Sequence, residues 1–232
     1  MIWYKRILST LLSNSSSYQK FAILCSARSG STWLHTLLNS HPSIHSNGEI
    51  VRTNHLSKRP LPFHEFAFKG YPKLIKAVGL KIFYENPIYA ESFEAVMEDQ
   101  EVKIIFLTRR SALAQFVSLK LAEATKEWVN TSTEKKQINL NIEEYKQFEL
   151  QERTIRKEIL RRLAGSNFLD VYYEDLVTNP SQELGRIQTF LGVRKRKLLS
   201  LLRKQGDDDF SKQIANWNEI KYQLEDSYSA SF

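Results

Sequence analysis

Hydrophobic side chains along the chain fall into short continuous runs and into longer stretches with helical spacing. Residues 21–25 and 102–107 are mainly apolar runs without the alternation of a half-exposed strand, so each predicts a strand buried on both faces. Each run leads through a short polar loop into a stretch with apolar positions on one helical side, namely Trp33, Leu34, Leu37 and Leu38 in the first and Leu113, Phe116, Val117 and Leu121 in the second. The pattern predicts two strand-loop-helix units.

Turn and capping residues mark the starts of further helices. Asn141 and Glu144 resemble a capping pair, and Pro180 suits the first turn of a later helix. Alternating strands and helices in a chain of 232 residues, 42% of them hydrophobic, predict a three-layer α/β/α fold around a mostly parallel central sheet. We expect residues 20–232 to form a single domain after an N-terminal lead segment, residues 1–19.

The loop between the first strand and its helix has the composition of an anion cradle. Backbone N–H groups of residues 28–32 and the positive end of the helix dipole converge there, Arg28 adds a full charge, and Gly30 lets the backbone approach closely. A nucleoside triphosphatase loop reads G-x-x-x-x-G-K-[ST], but in this chain no Lys stands between Gly30 and Thr32, because Ser31 takes that position. The loop predicts a phosphate or sulfate site without the ATP signature; a strand-to-helix turn with no ligand is the alternative.

A second loop carries related chemistry. Arg109 and Arg110 follow the strand at residues 102–107, and Ser118 lies eight residues after Arg110. A guanidinium binds phosphate oxygens through paired N–H groups, and a hydroxyl supplies one more donor. Both loops follow buried strands of a mostly parallel sheet, so we expect them at the carboxyl ends of the strands, where such sheets bind ligands.

These two loops resemble those of sulfotransferases that use 3′-phosphoadenylyl sulfate (PAPS) and release PAP. The residues similar to the family's 5′-phosphosulfate loop are Arg28, Ser29, Gly30, Ser31, Thr32 and Trp33. The resemblance implies that Arg110 and Ser118 grip the 3′-phosphate, with a supporting or salt-bridging role for Arg109. It also implies the fold of P-loop nucleoside triphosphate hydrolases in its sulfotransferase form.

Further segments resemble bacterial carbohydrate and glycolipid sulfotransferases, the trehalose-type branch in particular. They are residues 40–42, 48–49, 79–84, 115–118, 171–177, 179–180 and 216–217. Two positions depart from that branch, since Ser111 replaces its usual Asp and Phe116 its usual small residue. The resemblance implies in-line transfer of a sulfuryl group to a hydroxyl of a carbohydrate or glycolipid.

Sulfuryl transfer needs charge stabilisation on the leaving phosphate and a base for the acceptor hydroxyl. We assign the first role to Arg28. By resemblance the base is Glu49, with His41, His45 and His64 as alternatives, because other branches of the family use His. Lys81 lies within an apolar strand and either reaches the cofactor or acceptor, or is an edge-strand Lys.

Acceptor identity is the least determined part of this interpretation. His64, Lys81 and Trp128 are candidate acceptor contacts, but Trp128 with Phe63, Phe66 and Phe68 would equally suit a lipid or phenol pocket. The sequence does not predict the oligomeric state.

Composition narrows the classes of partner. The net charge of +7 comes from scattered basic residues, the densest being residues 194–197, and no nucleic-acid-binding module is present, so we expect no nucleic-acid partner. No apolar run is long enough to span a membrane. An apolar stripe near the N-terminus either packs on the domain, which we favour, or makes peripheral membrane contact. Cys25, the single cysteine, fits a reducing, cytoplasmic setting. We expect no metal.

Two other classes of function remain open from the sequence. One is a nucleotide kinase with the same fold, which the missing loop Lys disfavours. The other is a non-catalytic protein that binds anionic surfaces.

Overall fold

The computed structural model describes residues 18–58, 61–68, 70–128, 137–202 and 209–229. The chain divides into two compact units, the first formed by Met1–Arg110 with Arg162–Leu202 and the second by Ser111–Arg161 with Arg203–Phe232. Of the predicted lead segment, residues 1–17 lie outside the described residues. The single domain over residues 20–232 stays a prediction.

The strands and helices follow the predicted alternation. The first part of the chain contains β1 (Gln19–Cys25), α1 (Ser31–Asn39), β2 (Ile44–Ser46), α2 (Ile50–His55), α3 (Phe63–Phe66), β3 (Ala77–Phe83), α4 (Ala90–Glu98) and β4 (Val102–Thr108). The remainder contains α5 (Ala112–Thr125), α6 (Ile142–Leu163), β5 (Phe168–Tyr172), α7 (Tyr173–Thr178), α8 (Pro180–Phe190) and α9 (Trp217–Ser229). Two short 3₁₀ turns cover Pro87–Tyr89 and Phe210–Lys212.

The five strands form one parallel sheet in the first unit, in the order β2-β3-β1-β4-β5. The chain leaves β1 for β2 and β3 on one side and then crosses to β4 and β5 on the other. Cys25 pairs with Phe83 of β3 and Leu107 of β4, so the strands end at a common edge. This reversal of direction beside β1 is where parallel α/β sheets open a ligand crevice.

From Phe21 to Cys25, both faces of β1 are fully buried. Phe21, Ile23 and Cys25 pack into a core that α1 and α8 complete, with Leu38 and Ile187 among its buried residues. Ala22 and Leu24 point to the opposite face of the sheet and are equally inaccessible. The predicted α/β fold with helices around a mostly parallel sheet is confirmed, and the uninterrupted apolar run of β1 is explained by burial on two sides.

The second unit has its own apolar core, which includes Phe116 of α5, Tyr145 of α6 and Leu224 of α9. The predicted cap is present, because the Asn141 side-chain oxygen accepts hydrogen bonds from two backbone N–H groups in the first turn of α6, at 2.9 and 3.2 Å. The Asn216 side-chain amide accepts a hydrogen bond from Leu140 N and donates one to the Leu140 carbonyl. These two bonds join the segment before α6 to the segment before α9. Across the described residues, no helix is both long and apolar enough to cross a bilayer.

Candidate active site

The loop after β1 is bent by two residues in left-handed conformations. Arg28 has a φ of 61° and Gly30 a φ of 88°. The Ser29 hydroxyl donates to the Ser26 carbonyl at 2.8 Å and closes the turn from inside. Because Ser29 is completely buried, it shapes the loop rather than facing a ligand.

The N-terminus of α1 is open to an anion. No side chain caps it, and its first turn carries no acidic residue. The first i to i−4 bond runs from Leu34 N to Gly30 O at 3.1 Å, so the N–H groups of Ser31, Thr32 and Trp33 precede the helical ladder. This end of the helix fits a phosphate or sulfate group by dipole and by donors.

The three hydroxyls predicted to bind the anion differ in their exposure to solvent. Ser29 and Ser31 are both buried. Thr32 is exposed at the helix start. Among the loop hydroxyls, Thr32 is therefore placed to meet a ligand.

Tyr173 fixes the other side of the loop. A Cβ added to Gly30 would lie 2.3 Å from Cδ2 of Tyr173, so no other residue fits without displacing the ring. The same ring meets Trp33 edge-on, with centroids 6.1 Å apart. Trp33 is partly buried and packs against the core, so its observed contacts hold the loop in place.

Two guanidinium groups lie against this loop. Arg109 donates from Nη1 to the Arg28 carbonyl at 3.3 Å, and its guanidinium lies 4.6 Å from the Tyr173 ring centre. Its Nε is 3.8 Å from a Glu174 carboxylate oxygen. Burial, followed by the charge of Arg109, lowers the pKa of Arg28. Like charges held this close favour a bound anion.

Arg110 is engaged by a carboxylate in this structure. Its Nη1 and Nη2 donate to the two carboxylate oxygens of Asp175 at 2.6 and 2.7 Å, and its guanidinium lies 4.0 Å from the Tyr172 ring centre. This hydrogen bonding raises the pKa of Arg110 and lowers that of Asp175. The sequence interpretation gave salt bridging to Arg109, whereas the structure shows it most clearly at Arg110. Ser118 is half-buried in α5 of the second unit.

Lys81 connects two parts of the site. Its Nζ donates to Thr32 Oγ1 at 3.1 Å and to Glu49 Oε1 at 3.2 Å. The Lys81 side chain is 2% exposed, while that of Glu49 is 37% exposed. The edge-strand alternative is wrong, because β3 lies between β2 and β1 and Lys81 pairs with Ile23 of β1.

The turn that carries Glu49 is held in place by packing. Gly48 has a φ of 61°, and a Cβ there would approach the His35 ring to 3.1 Å. His35 Nδ1 lies 2.8 Å from Ser46 Oγ, and Lys81 N donates to the Gly48 carbonyl at 2.8 Å. Burial, with Lys81 as the next cause, lowers the pKa of His35 to about 4. Glu49 is therefore fixed by its own turn as well as by Lys81.

The alternative bases have other contacts. His41 is buried, accepts from Ser43 N at 3.0 Å and contacts the Arg194 carbonyl at 2.9 Å, so it closes a turn. His45 lies 3.0 Å from Asn47 Oδ1. The side chain of His64 lies outside the described part of the structure, and Trp128 is 53% exposed in the second unit.

Sequence reasoning missed the acidic residues opposite Arg109 and Arg110. Glu174 accepts from Arg110 N at 3.0 Å, and Asp175 holds the guanidinium. The signal available in the sequence was their position just after the carboxyl end of a strand, here the half-buried edge strand β5. Within the described residues, no three His, Cys, Asp or Glu side chains group as metal ligands.

Comparison with known proteins identifies the family of this chain. Nodulation protein H of Rhizobium tropici is 28% identical over 228 residues, covering 88% of this chain and 89% of that protein. Nodulation protein H of Rhizobium meliloti (strain 1021) is 26% identical over 238 residues, covering 92% and 94%. A solved sulfotransferase from Alicyclobacillus acidocaldarius superposes with a TM-score of 0.48 at 14% identity, covering 90% of this chain and 97% of that one. The sulfotransferase domain family matches residues 19–220, so the chain belongs to that family and is a sulfotransferase.

Proposed function

We propose that this enzyme moves the sulfuryl group of PAPS to a hydroxyl of a carbohydrate or glycolipid, with Glu49 as the general base. The observation that carries the proposal is the position of Lys81 Nζ, which hydrogen-bonds both Thr32 at the anion-binding helix end and Glu49. One buried charge thus links the group that would hold the leaving phosphate to the group that would take the proton.

The residues at the loop suit the donor molecule. Helix N–H groups, the Thr32 hydroxyl and the Arg28 guanidinium would hold the 5′-phosphosulfate, because each donates to or attracts an anion. Arg110 and Ser118 would hold the 3′-phosphate, as their resemblance to the family's 3′-phosphate ligands implies. Arg110 keeps its Nε edge for this purpose, since Asp175 takes only Nη1 and Nη2.

PAPS supplies an activated sulfuryl group bonded through oxygen to phosphorus. Glu49 accepts the proton of the acceptor hydroxyl while the hydroxyl oxygen bonds to sulfur. At the same time the bond between sulfur and the oxygen that bridges it to phosphorus breaks. Lys81 and Arg28 hold positive charge near the oxygen that leaves as phosphate, where negative charge develops. Lys81 donates to Thr32 Oγ1, so the Thr32 hydroxyl proton is directed elsewhere, toward the anion.

A sugar-bearing acceptor is supported by aromatic residues near α3 and by the resemblance to bacterial carbohydrate sulfotransferases. Phe63 meets Phe66 and Phe68 edge-on at 5.8 and 5.9 Å, and all three are half-buried. Partly exposed aromatic side chains can pack against the C–H groups of a sugar or against a lipid chain. A panel of an oligosaccharide, a glycolipid, a phenol and a fatty alcohol with labelled PAPS distinguishes these acceptors.

The donor is tested first, by thermal unfolding with PAP, with adenosine 5′-phosphate and with Mg-ATP at fixed salt. PAP at 100 times its Kd should stabilise the fold by about 2.7 kcal/mol, with a smaller effect from adenosine 5′-phosphate at the same concentration. Stabilisation by Mg-ATP alone would support the nucleotide kinase instead. Equal effects of PAP and adenosine 5′-phosphate would remove the 3′-phosphate role of Arg110.

The base is tested with Glu49→Gln. We expect transfer to slow by about 10² to 10⁴-fold while PAP still binds, because Glu49 acts on the acceptor proton. The matched control is Glu98→Gln, an exposed acid at the end of α4. Unchanged transfer in Glu49→Gln would refute the assignment, and His45→Gln and His64→Gln would then be compared.

A further inference from the structure

Residues 193–201, here called the basic strap, continue the chain after α8 in the first unit. The four side chains Arg194, Lys195, Arg196 and Lys197 are all exposed. None of the four has an ion-pair partner among the described residues. In the sequence no acidic residue occurs between Glu183 and Asp207, so local carboxylates do not neutralise this charge.

The basic strap is fixed to the fold although it is neither helix nor strand. Val193 and Leu198 bury their side chains in the core of the first unit. The Gln188 amide accepts from Arg196 N at 2.7 Å and donates to the Arg196 carbonyl at 3.1 Å. Leu199 N donates to Ser40 Oγ at 2.9 Å. These buried contacts already order the backbone of the strap. Binding through the charged side chains therefore costs little additional backbone entropy.

Two leucines of the same strap face solvent. Leu199 is 66% exposed and Leu201 is fully exposed at 101%. Leu198, which lies between the basic residues and these two leucines, points inward and packs into the core. Leu199 and Leu201 are therefore not the residues through which the strap packs on the core. Basic side chains beside exposed leucines match a phospholipid surface, because ammonium and guanidinium groups meet anionic headgroups while leucines enter the acyl boundary.

We propose that the basic strap docks this sulfotransferase on membranes that carry anionic phospholipids. The strap lies beside the C-terminal end of α1, where Ser40 and His41 contact it. The anion-binding loop is at the other end of α1, a nine-residue helix about 13 Å long. Docking therefore leaves the proposed donor site uncovered, and strap variants do not alter its residues.

The test measures binding of the full chain to vesicles of phosphatidylcholine, with and without 30% phosphatidylserine, at two salt concentrations and without nucleotide. We expect binding to the anionic vesicles that weakens with salt. Lys195→Gln with Lys197→Gln should lower the partition coefficient about 25-fold, or about fivefold per charge, since each basic residue near such a surface contributes about 1 kcal/mol. Leu199→Ser with Leu201→Ser should lower it about tenfold per leucine.

The matched control is Lys73→Gln with Lys157→Gln, which removes two exposed charges elsewhere and should bind nearly as the parent does. A 20-base-pair duplex DNA serves as the competing polyanion. The proposal is overturned by equal binding to neutral and anionic vesicles, by a control as weak as the strap variant, or by tight DNA binding without vesicle binding. PAP stabilisation is read separately, so failure of docking leaves the proposed transfer reaction untouched.

Discussion

Gly30 meets two separate restrictions, a left-handed φ of 88° and the Tyr173 ring 2.3 Å from where a Cβ would stand. We expect Gly30→Ala to destabilise the fold by about 2–5 kcal/mol, about 1–2 from the backbone and about 1–3 from overpacking. Gly192→Ala is the control, with a φ of 70° and nothing within 4 Å, and should cost only the backbone part. Urea unfolding measures both. Equal losses would show that the ring contact is easily relieved.

His35 makes stability depend on pH. In the folded chain its pKa is about 4, whereas in the unfolded chain it binds a proton below about 6.5. The unfolded state therefore binds more protons between pH 6.5 and 4, and the free energy of unfolding falls as pH decreases through that window, by about 3 kcal/mol in all. His35→Gln should lose this component and exposed His55→Gln should keep it. Urea unfolding at pH 7 and pH 4.5 measures the difference in the free energy of unfolding between the two pH values. If this difference were the same in His35→Gln as in the parent protein, the assignment to His35 would be contradicted.

The link between β3 and the start of α2 is asymmetric, because Lys81 is buried and Glu49 is partly exposed. Glu49→Gln leaves a buried ammonium without its carboxylate and should cost about 3 kcal/mol, the lower end for a broken buried pair. Lys81→Met removes the buried charge itself and should cost about 1 kcal/mol. Both should lose transfer activity.

The exposed neighbour supplies the control for this pair. Arg52 lies 3.7 Å from Glu49 with its side chain 61% exposed, so Arg52→Gln should change the free energy of unfolding by less than about 0.5 kcal/mol. Urea unfolding orders the three variants. If Lys81→Met proved less stable than Glu49→Gln, the thioether would be a poor replacement and burial of charge would not determine the order.

The elements were largely predictable, while side-chain pairing across them was not. The apolar runs of β1 and β4 and the Asn141 cap are local signals, and the structure confirms them. Lys81 looked equally like an edge residue because its neighbours depend on strand order. Only after β3 is placed beside β1 does its ammonium face the start of α1.

The arginine loop shows the same limit at the site. The family resemblance implied that Arg110 is a phosphate ligand, but the carboxylate that binds it belongs to α7, 65 residues later. Such pairing is set by the order of parallel strands, which bring distant strand ends to one edge. Candidate residues could therefore be chosen from the sequence, whereas their partners required the fold.

At the scale of the molecule, Cys25 reports on opening of the central sheet. It is the only cysteine, it is fully buried in β1, and burial raises its pKa to about 12. In the unfolded chain a thiol ionises near pH 9, so the folded state suppresses the reactive thiolate both by access and by ionisation. Labelling at pH 8 should therefore proceed through unfolding of the first unit and accelerate with urea.

The rate at which the Cys25 thiol is labelled therefore measures binding of the donor nucleotide. A ligand at 100 times its Kd lowers the population of open protein about 100-fold, so PAP should slow Cys25 labelling by about that factor when closing is faster than labelling. Adenosine 5′-phosphate at the same concentration lacks the 3′-phosphate and should slow labelling much less. With Arg110→Gln the two nucleotides should become nearly equivalent. If neither urea nor PAP changed the rate of Cys25 labelling, β1 would open locally and independently of the sheet that carries the site.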